Sequence, residues 1–265
     1  MTGSLKLEDV SVGYGRKPVL NHLDIGPLPP GSLVAVVGSN AVGKSTLLKA
    51  IAGLRTSSGR ILLGDTDLSR LPLSGRVRLV GYLSQALPQP TSLVAYEAVT
   101  SAFRAVRGDL STAEAERMVD EVFTALDLRN IALRRLSEMS GGQRQMVGLA
   151  QVLVRKPPLL LLDEPTSALD LRWQLNVLET VRTITRDDKV ICLMAIHDIN
   201  LALRFCDQLI VLGGGGLLAA GQPDVVMDAG LLRRAYGIEG RVEHCSRGFP
   251  IVLTDRAVAA PPMPQ

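Results

Sequence analysis

Cysteine is scarce in this 265-residue chain: it has only Cys192, Cys206 and Cys245. An odd count without a C-x-x-C pair offers neither a disulfide framework nor a zinc site, and a reducing compartment fits it best. Cys192 lies in the apolar run VICLMAI and reads as a small core residue. Aromatic residues make up 3% of the sequence, so a tyrosine between glycines, as Tyr14 is in GYG, stands out. No apolar run approaches the roughly 20 residues that a membrane span requires. The opening MTGSLKLEDV has no apolar stretch of the signal-peptide kind. On this reading the chain stays in the cytoplasm, and any membrane role comes through a partner. Neither sign of charge dominates: 29 basic against 26 acidic residues leave +3, which gives no support to a nucleic-acid partner.

What the chain does have is an alternation of strand-like and helix-like segments. Residues 4–31, SLKLEDVSVGYGRKPVLNHLDIGPLPPG, alternate apolar and polar side chains between turn signals and read as antiparallel strands. SLVAVVG (32–38), PLLLLDEP (158–165) and KVICLMAIHD (189–198) contain short continuous apolar runs, as expected of strands buried on both faces. GRILLGDTDL (59–68) and RLVGYLSQ (78–85) read as further strands, and helices are predicted over 44–54, 171–185, 199–205 and about 228–236. From about 92 to 156 the pattern turns helical, with a capping box at Ser111-x-x-Glu114. QLIVLGGGGLLAAG (208–221) and RVEHCSRGFPIVLT (241–254) read as hairpins, and AVAAPPMPQ as a flexible tail. Strands alternating with helices predict an α/β fold with a parallel core and a helical insert between two of its strands.

GSNAVGKST (38–46) fits G-x-x-x-x-G-K-[ST], after a predicted strand and at the start of a helix. Backbone N–H groups of such a loop, from Gly38 through Ser39, Asn40, Ala41, Val42 and Gly43, cradle phosphate oxygens at a helix N-terminus. Lys44 reaches the β- and γ-phosphates, and the Ser45 hydroxyl can hold Mg²⁺, with Thr46 following. Asp163 and Glu164 end the run of leucines at 159–162, where a parallel sheet binds its ligands. Asp163 is a candidate Mg²⁺ ligand, and Glu164 a candidate base for the attacking water. His197 ends another buried strand and is placed to contact the γ-phosphate. Gln85 ends RLVGYLSQ, where its amide can touch a metal-bound water and move with the insert. Tyr14 is a candidate for stacking on adenine.

MSGGQRQ (139–145) poses a different question. Ser140 and Gln143 form a capping box, but a cap does not require Gly141 and Gly142. Adjacent glycines allow a close approach to the backbone, and the exposed N–H groups and dipole of a helix start favour an anion. A phosphate loop already surrounds its nucleotide from one side. The simplest ligand for the second site is therefore the nucleotide of another copy, in a head-to-tail pair with ATP sandwiched between.

Together these segments resemble the ATP-binding subunit of an ABC transporter over residues 4–240. The likeness rests on the Walker A loop (38–46), Q-loop glutamine (Gln85), signature (MSGGQ, 139–143), Walker B (LLLLDE, 159–164), D-loop (SALD, 167–170) and switch histidine (His197), in the family's order. The resemblance implies a RecA-like P-loop NTPase core with an antiparallel β subdomain and an inserted helical subdomain. It implies an ABC ATPase domain over 1–240, the helical subdomain at about 88–156, and a C-terminal hairpin and flexible tail over 241–265. It also implies ATP and Mg²⁺ as cofactors, with Ser45, Gln85 and Asp163 around the metal and Asp170 in the D-loop. The implied partners are a second identical copy, transmembrane permease subunits and, through these, a substrate-binding protein, at the cytoplasmic face of the membrane. Ala41 departs from the family's usual glycine, Met139 from its leucine and Ser84 from its frequent proline. None of these removes a catalytic group, so hydrolysis is expected. IHDINLALRFCDQLIVL (196–212), SGGQRQMVGLAQVLVR (140–155) and the stretch 219–255 resemble the iron-chelate and cobalamin import group. Ferric siderophores are the favoured cargo, heme or cobalamin the next, and an exporter ATPase or a soluble ABC protein fits less well.

Overall fold

The structure is a computed structural model that describes residues 3–258 except Arg16, Leu87, Asp109 and Ala168. The expected tail therefore lies outside the described residues from 259 onward. Six strands form the central sheet: β3 (Leu33–Val37), β6 (Val80–Leu83), β7 (Leu159–Asp163), β8 (Ile191–Ala195), β9 (Gln208–Gly213) and β10 (Gly216–Gly221). Their order is β10-β9-β3-β8-β7-β6, with β10 antiparallel to β9 and the other neighbours parallel. Every residue of β3, β7 and β8 is buried, because both faces of the sheet are covered. Successive side chains enter opposite cores. Leu33, Ala35, Val37, Leu160 and Leu162 join one, and Val34, Val36, Leu159 and Leu161 join the other.

The second core contains α1 (Lys44–Ile51) and a four-stranded sheet, β2-β1-β4-β5, from β1 (Leu5–Tyr14), β2 (Lys17–Leu28), β4 (Ser57–Leu63) and β5 (Thr66–Asp67). The apolar residues of β1 run Leu5, Leu7, Val10, Val12, with one step of three. A bulge with Asp9 at φ 50° absorbs that step, so all four side chains stay buried. The segment 59–68, read as one strand, is two: Gly64 at φ 57° turns the chain between β4 and β5. The strand read over 78–85 begins only at Val80, because α2 (Leu73–Leu79) precedes it. Buried Arg76 holds that helix in place, donating to the carbonyls of Leu68 and Ala50.

The first core takes in α6 (Leu171–Asp187), α7 (Ile199–Phe205) and three helices from between β6 and β7: α3 (Ala95–Arg104), α4 (Thr112–Ala125) and α5 (Gly141–Leu153). The Ser111–Glu114 capping box starts α4. Phe103, Val119, Phe123, Val147 and Leu149 are buried where these helices meet. The short α8 (Pro223–Val226), α9 (Ala229–Tyr236) and the hairpin of β11 (Ile238–His244) and β12 (Pro250–Ala257) complete the described chain. No helix among the described residues is long and apolar enough to cross a membrane.

Candidate functional site

The parallel order β3-β8-β7-β6 places four strand ends side by side. The loop 38–43 follows β3, His197 follows β8, Asp163 and Glu164 end or follow β7, and Gln85 follows β6. They share one edge, the carboxyl end of the sheet, where α/β folds bind ligands. A cavity of about 790 Å³ opens there, lined by Asn40, Ala41, Gly43, Lys44, Ser45, Thr46, Gln85, Glu164 and His197, with Tyr14 on its wall.

The loop is strained in a directed way. Gly38 (φ 143°) and Gly43 (φ 111°) hold left-handed backbone, and a Cβ at Gly38 would lie 2.4 Å from the Leu212 carbonyl oxygen. Ala41 also sits at φ 60°, a conformation that costs a non-glycine residue about 1–2 kcal/mol. The departure from glycine is therefore borne as strain while the loop keeps its path. Lys44 is buried, and its Nζ donates to the carbonyls of Gly38 (2.8 Å) and Ser39 (3.0 Å). Burial pulls its pKa below the usual lysine value, and the nearby Glu164 and Asp163 oppose that pull.

Asp163 is 1% exposed. It accepts from Ser45 Oγ at 2.7 Å on one oxygen and from the Tyr82 hydroxyl at 3.1 Å on the other. One carboxylate beside a serine hydroxyl is a hard oxygen set. It suits Mg²⁺ completed by phosphates and water better than an all-protein cage. No group of three or more His, Cys, Asp or Glu side chains among the described residues could hold a metal by itself. Burial, with Asp163 adjoining, pushes the Tyr82 hydroxyl well above the usual tyrosine value, so it remains a donor. Tyr82 escaped the sequence reading, although its place in RLVGYLSQ, three residues before Gln85, was a usable signal. Tyr82→Phe leaves that oxygen of a buried carboxylate without its donor. It is expected to lower stability by about 1–3 kcal/mol, measured by urea unfolding; an unshifted midpoint would show that the bond contributes nothing.

Glu164 also has left-handed backbone, φ 54°, a conformation that persists in a non-glycine residue only where its surroundings enforce it. Its N–H donates to the Ala195 carbonyl (3.1 Å). Its own carbonyl accepts from Gln145 Nε2 (2.9 Å) and Ser167 Oγ (3.1 Å). The carboxylate lies between His197 Nε2 (2.5 Å) and Gln85 Nε2 (2.8 Å). A carboxylate oxygen accepts, so this contact is made when Nε2 of His197 carries the proton. Gln85 is thus placed on Glu164 rather than on Asp163. Gln145 also escaped the sequence reading. Its signal was a polar residue four positions before Leu149, at the edge of the apolar stripe Met146, Leu149, Ala150 and Leu153.

Tyr14 is 46% exposed, and the Arg55 guanidinium lies 3.9 Å from its ring centroid. One ring face is therefore taken by a cation.

The signature residues are elsewhere. Ser140 Oγ accepts from the Gln143 N–H (3.2 Å), and Gln143 Oε1 accepts from the Ser140 N–H (3.1 Å). Neither Gly141 nor Gly142 has a positive φ, so backbone conformation does not demand these glycines. Ser140, Gly141, Gly142 and Gln143 line a second cavity of about 410 Å³ with Met146, Asp170 and Trp173, and it shares no lining residue with the first. Asp170 caps α6 by accepting from the Trp173 N–H (3.0 Å). Its neighbour Ala168 in SALD lies outside the described residues.

The family model for ABC transporters matches residues 23–167. The chain is 36% identical to the hemin import ATP-binding protein HmuV of Pseudomonas aeruginosa, across 94% of this chain and 99% of that protein. An ATP-binding cassette solved as a dimer in a post-hydrolysis state, bound to ADP and Pi, superposes with a TM-score of 0.74 at 26% identity, covering 83% of this chain and 98% of that one. A chain from a transporter classed as metal-chelate type, in an inward-facing conformation, superposes with a TM-score of 0.79 over 96% of this chain and 98% of that one; at 22% identity it speaks for the fold alone. The match spans more than half of the sequence and the hemin-import relative is alike over nearly its full length, so the chain belongs to the ABC transporter family, as its ATP-binding, ATP-hydrolysing subunit.

Proposed function

We propose that this chain powers an ABC importer of iron chelates, acting as a homodimer beneath transmembrane permease subunits at the cytoplasmic face of the membrane. One observation carries the dimer: two separate cavities, one at the phosphate loop and one at the signature. A head-to-tail pair joins the first cavity of one copy to the second cavity of the other, and each ATP then lies between two chains. In this reading Lys44 and the loop 38–46 hold the phosphates, and Tyr14 offers its remaining ring face to adenine. Ser45 and Asp163 would hold Mg²⁺, with Gln85 nearby, and the ion would neutralise phosphate charge when bound. Glu164 takes a proton from a water as its oxygen bonds to the γ-phosphorus and the bond to the β,γ-bridging oxygen breaks, releasing ADP and phosphate. His197 steadies that carboxylate and faces the γ-phosphate. A substrate-binding protein joins only through the permease, and nucleic acid has no part.

The cargo never touches this subunit, so the relatives support its assignment. HmuV of Pseudomonas aeruginosa is a hemin import ATP-binding protein, which favours heme, whereas the segment 140–155 resembles ferric-siderophore ATPases. Both are iron chelates. In a strain lacking this gene, uptake of radiolabelled hemin or of a ferric siderophore is expected to fall to background and to return with the gene. Unimpaired uptake of both would overturn the assignment.

A further inference from the structure

Gln145 lines neither cavity, but it lies on the helix whose start lines one and donates to Glu164, which lines the other. It lies on α5, two residues beyond Gln143 of the capping box, and is 6% exposed. Its Nε2 donates to the Glu164 carbonyl at 2.9 Å, across the boundary between the helical segment and the end of β7. Its Oε1 is buried without a hydrogen-bond partner among the described residues. Most buried side-chain polar atoms have a hydrogen-bond partner, and an unsatisfied one calls for an explanation. This amide is satisfied only where it touches Glu164.

The acceptor is a hinge-like point. Glu164 is the residue at φ 54°, and rotation of its peptide re-aims the carboxylate between His197 and Gln85. An α-helix moves as a rigid rod with a rise of about 1.5 Å per residue. A shift at Gly141–Gly142 therefore reaches Gln145, about one turn away, almost undiminished. We propose that Gln145 is a positioning residue through which a nucleotide seated on the signature of one subunit sets the carboxylate of that same subunit's Glu164, coupling the two ATP sites of the dimer. This rests on the reading of Glu164 as the base and of the signature as the partner's nucleotide site.

The test uses the full chain with Gln145→Met, which keeps the volume and removes the donor, and Gln145→Leu as a second variant. ATPase rate is measured against ATP concentration, with binding of a fluorescent ATP analogue and the melting temperature alongside. The wild type is expected to show a Hill coefficient above one. Both variants are expected to bind the analogue within about twofold of wild type and to melt within a few degrees of it. Their kcat should fall at least tenfold, and their Hill coefficient should approach one. Unchanged kcat and Hill coefficient would overturn the proposal. So would affinity, melting temperature and kcat falling together in both variants, since a structural strut does that. Glu164→Gln serves as the control: wild-type turnover there means that the base reading has failed, whereas a slow Glu164→Gln beside unaffected Gln145 variants means that only the coupling has failed.

Discussion

Glu164→Gln is expected to bind ATP as the wild type does and to hydrolyse it at least a hundredfold more slowly. The substitution preserves the shape of the side chain, and its amide can still meet both flanking groups, His197 and Gln85, now at 2.5 and 2.8 Å from the carboxylate, once the Gln85 amide turns its oxygen toward the new NH2. The left-handed backbone at this position is set by the Ala195, Gln145 and Ser167 contacts to main-chain atoms, and none of these involves the carboxylate. What is lost is the capacity to take a proton, a contribution of about 10²–10⁴ in rate for a positioned base. Product formation then no longer opens the pair, so the variant should elute as a dimer with ATP and Mg²⁺ and as a monomer without them. Turnover near the wild-type rate, or elution as a monomer under both conditions, would remove Glu164 from the role assigned to it.

Gly142→Asp is expected to abolish hydrolysis and transport while leaving nucleotide binding by the single chain intact. An acidic side chain in the first turn of α5 suits the helix dipole, so the helix itself should gain up to about 1 kcal/mol, and folding is not the cause of the loss. The harm falls on the ligand. Two unit charges about 4 Å apart repel by about 4 kcal/mol at an effective dielectric constant of about 20. That is roughly a thousandfold in affinity for a γ-phosphate arriving at Gly141 and Gly142. The cavity at the phosphate loop has no lining residue in common with the signature cavity, so binding of a fluorescent ATP analogue to the monomer should be unchanged. The decisive measurement combines the substitution with Glu164→Gln: the ATP-dependent dimer should disappear. If that dimer forms normally, the signature does not read the partner's nucleotide.

Much of the fold could be read directly where local chemistry leaves no alternative. The runs at 33–37, 159–163 and 191–195 are buried on both faces, and α7 spans the predicted 199–205. Legibility failed where a tertiary contact decides. The short α2 exists because buried Arg76 ties it to Leu68 and Ala50, and alternation across 78–85 carries no trace of those carbonyls. At Gly64 the turn was present as Gly-Asp, yet apolar residues on both sides made 59–68 look continuous.

The candidate site divides in the same way. The sequence by itself determined the phosphate loop, the acids that end β7, the histidine after β8 and the capped glycine pair, because each is a short pattern whose chemistry depends on neighbours in the chain. Only the tertiary structure decided that Tyr82 holds Asp163, that Gln85 and His197 clasp Glu164, and that Gln145 reaches the Glu164 backbone. Those contacts join residues 19 to 81 positions apart. The parallel strand order brings the strand-end residues together and the packing of α5 brings in Gln145, and neither is encoded in any one segment. The fold also settled what the glycine pair is not. Neither has a positive φ, so the backbone conformation has no need of glycine there, and close approach by a ligand is the reason we propose.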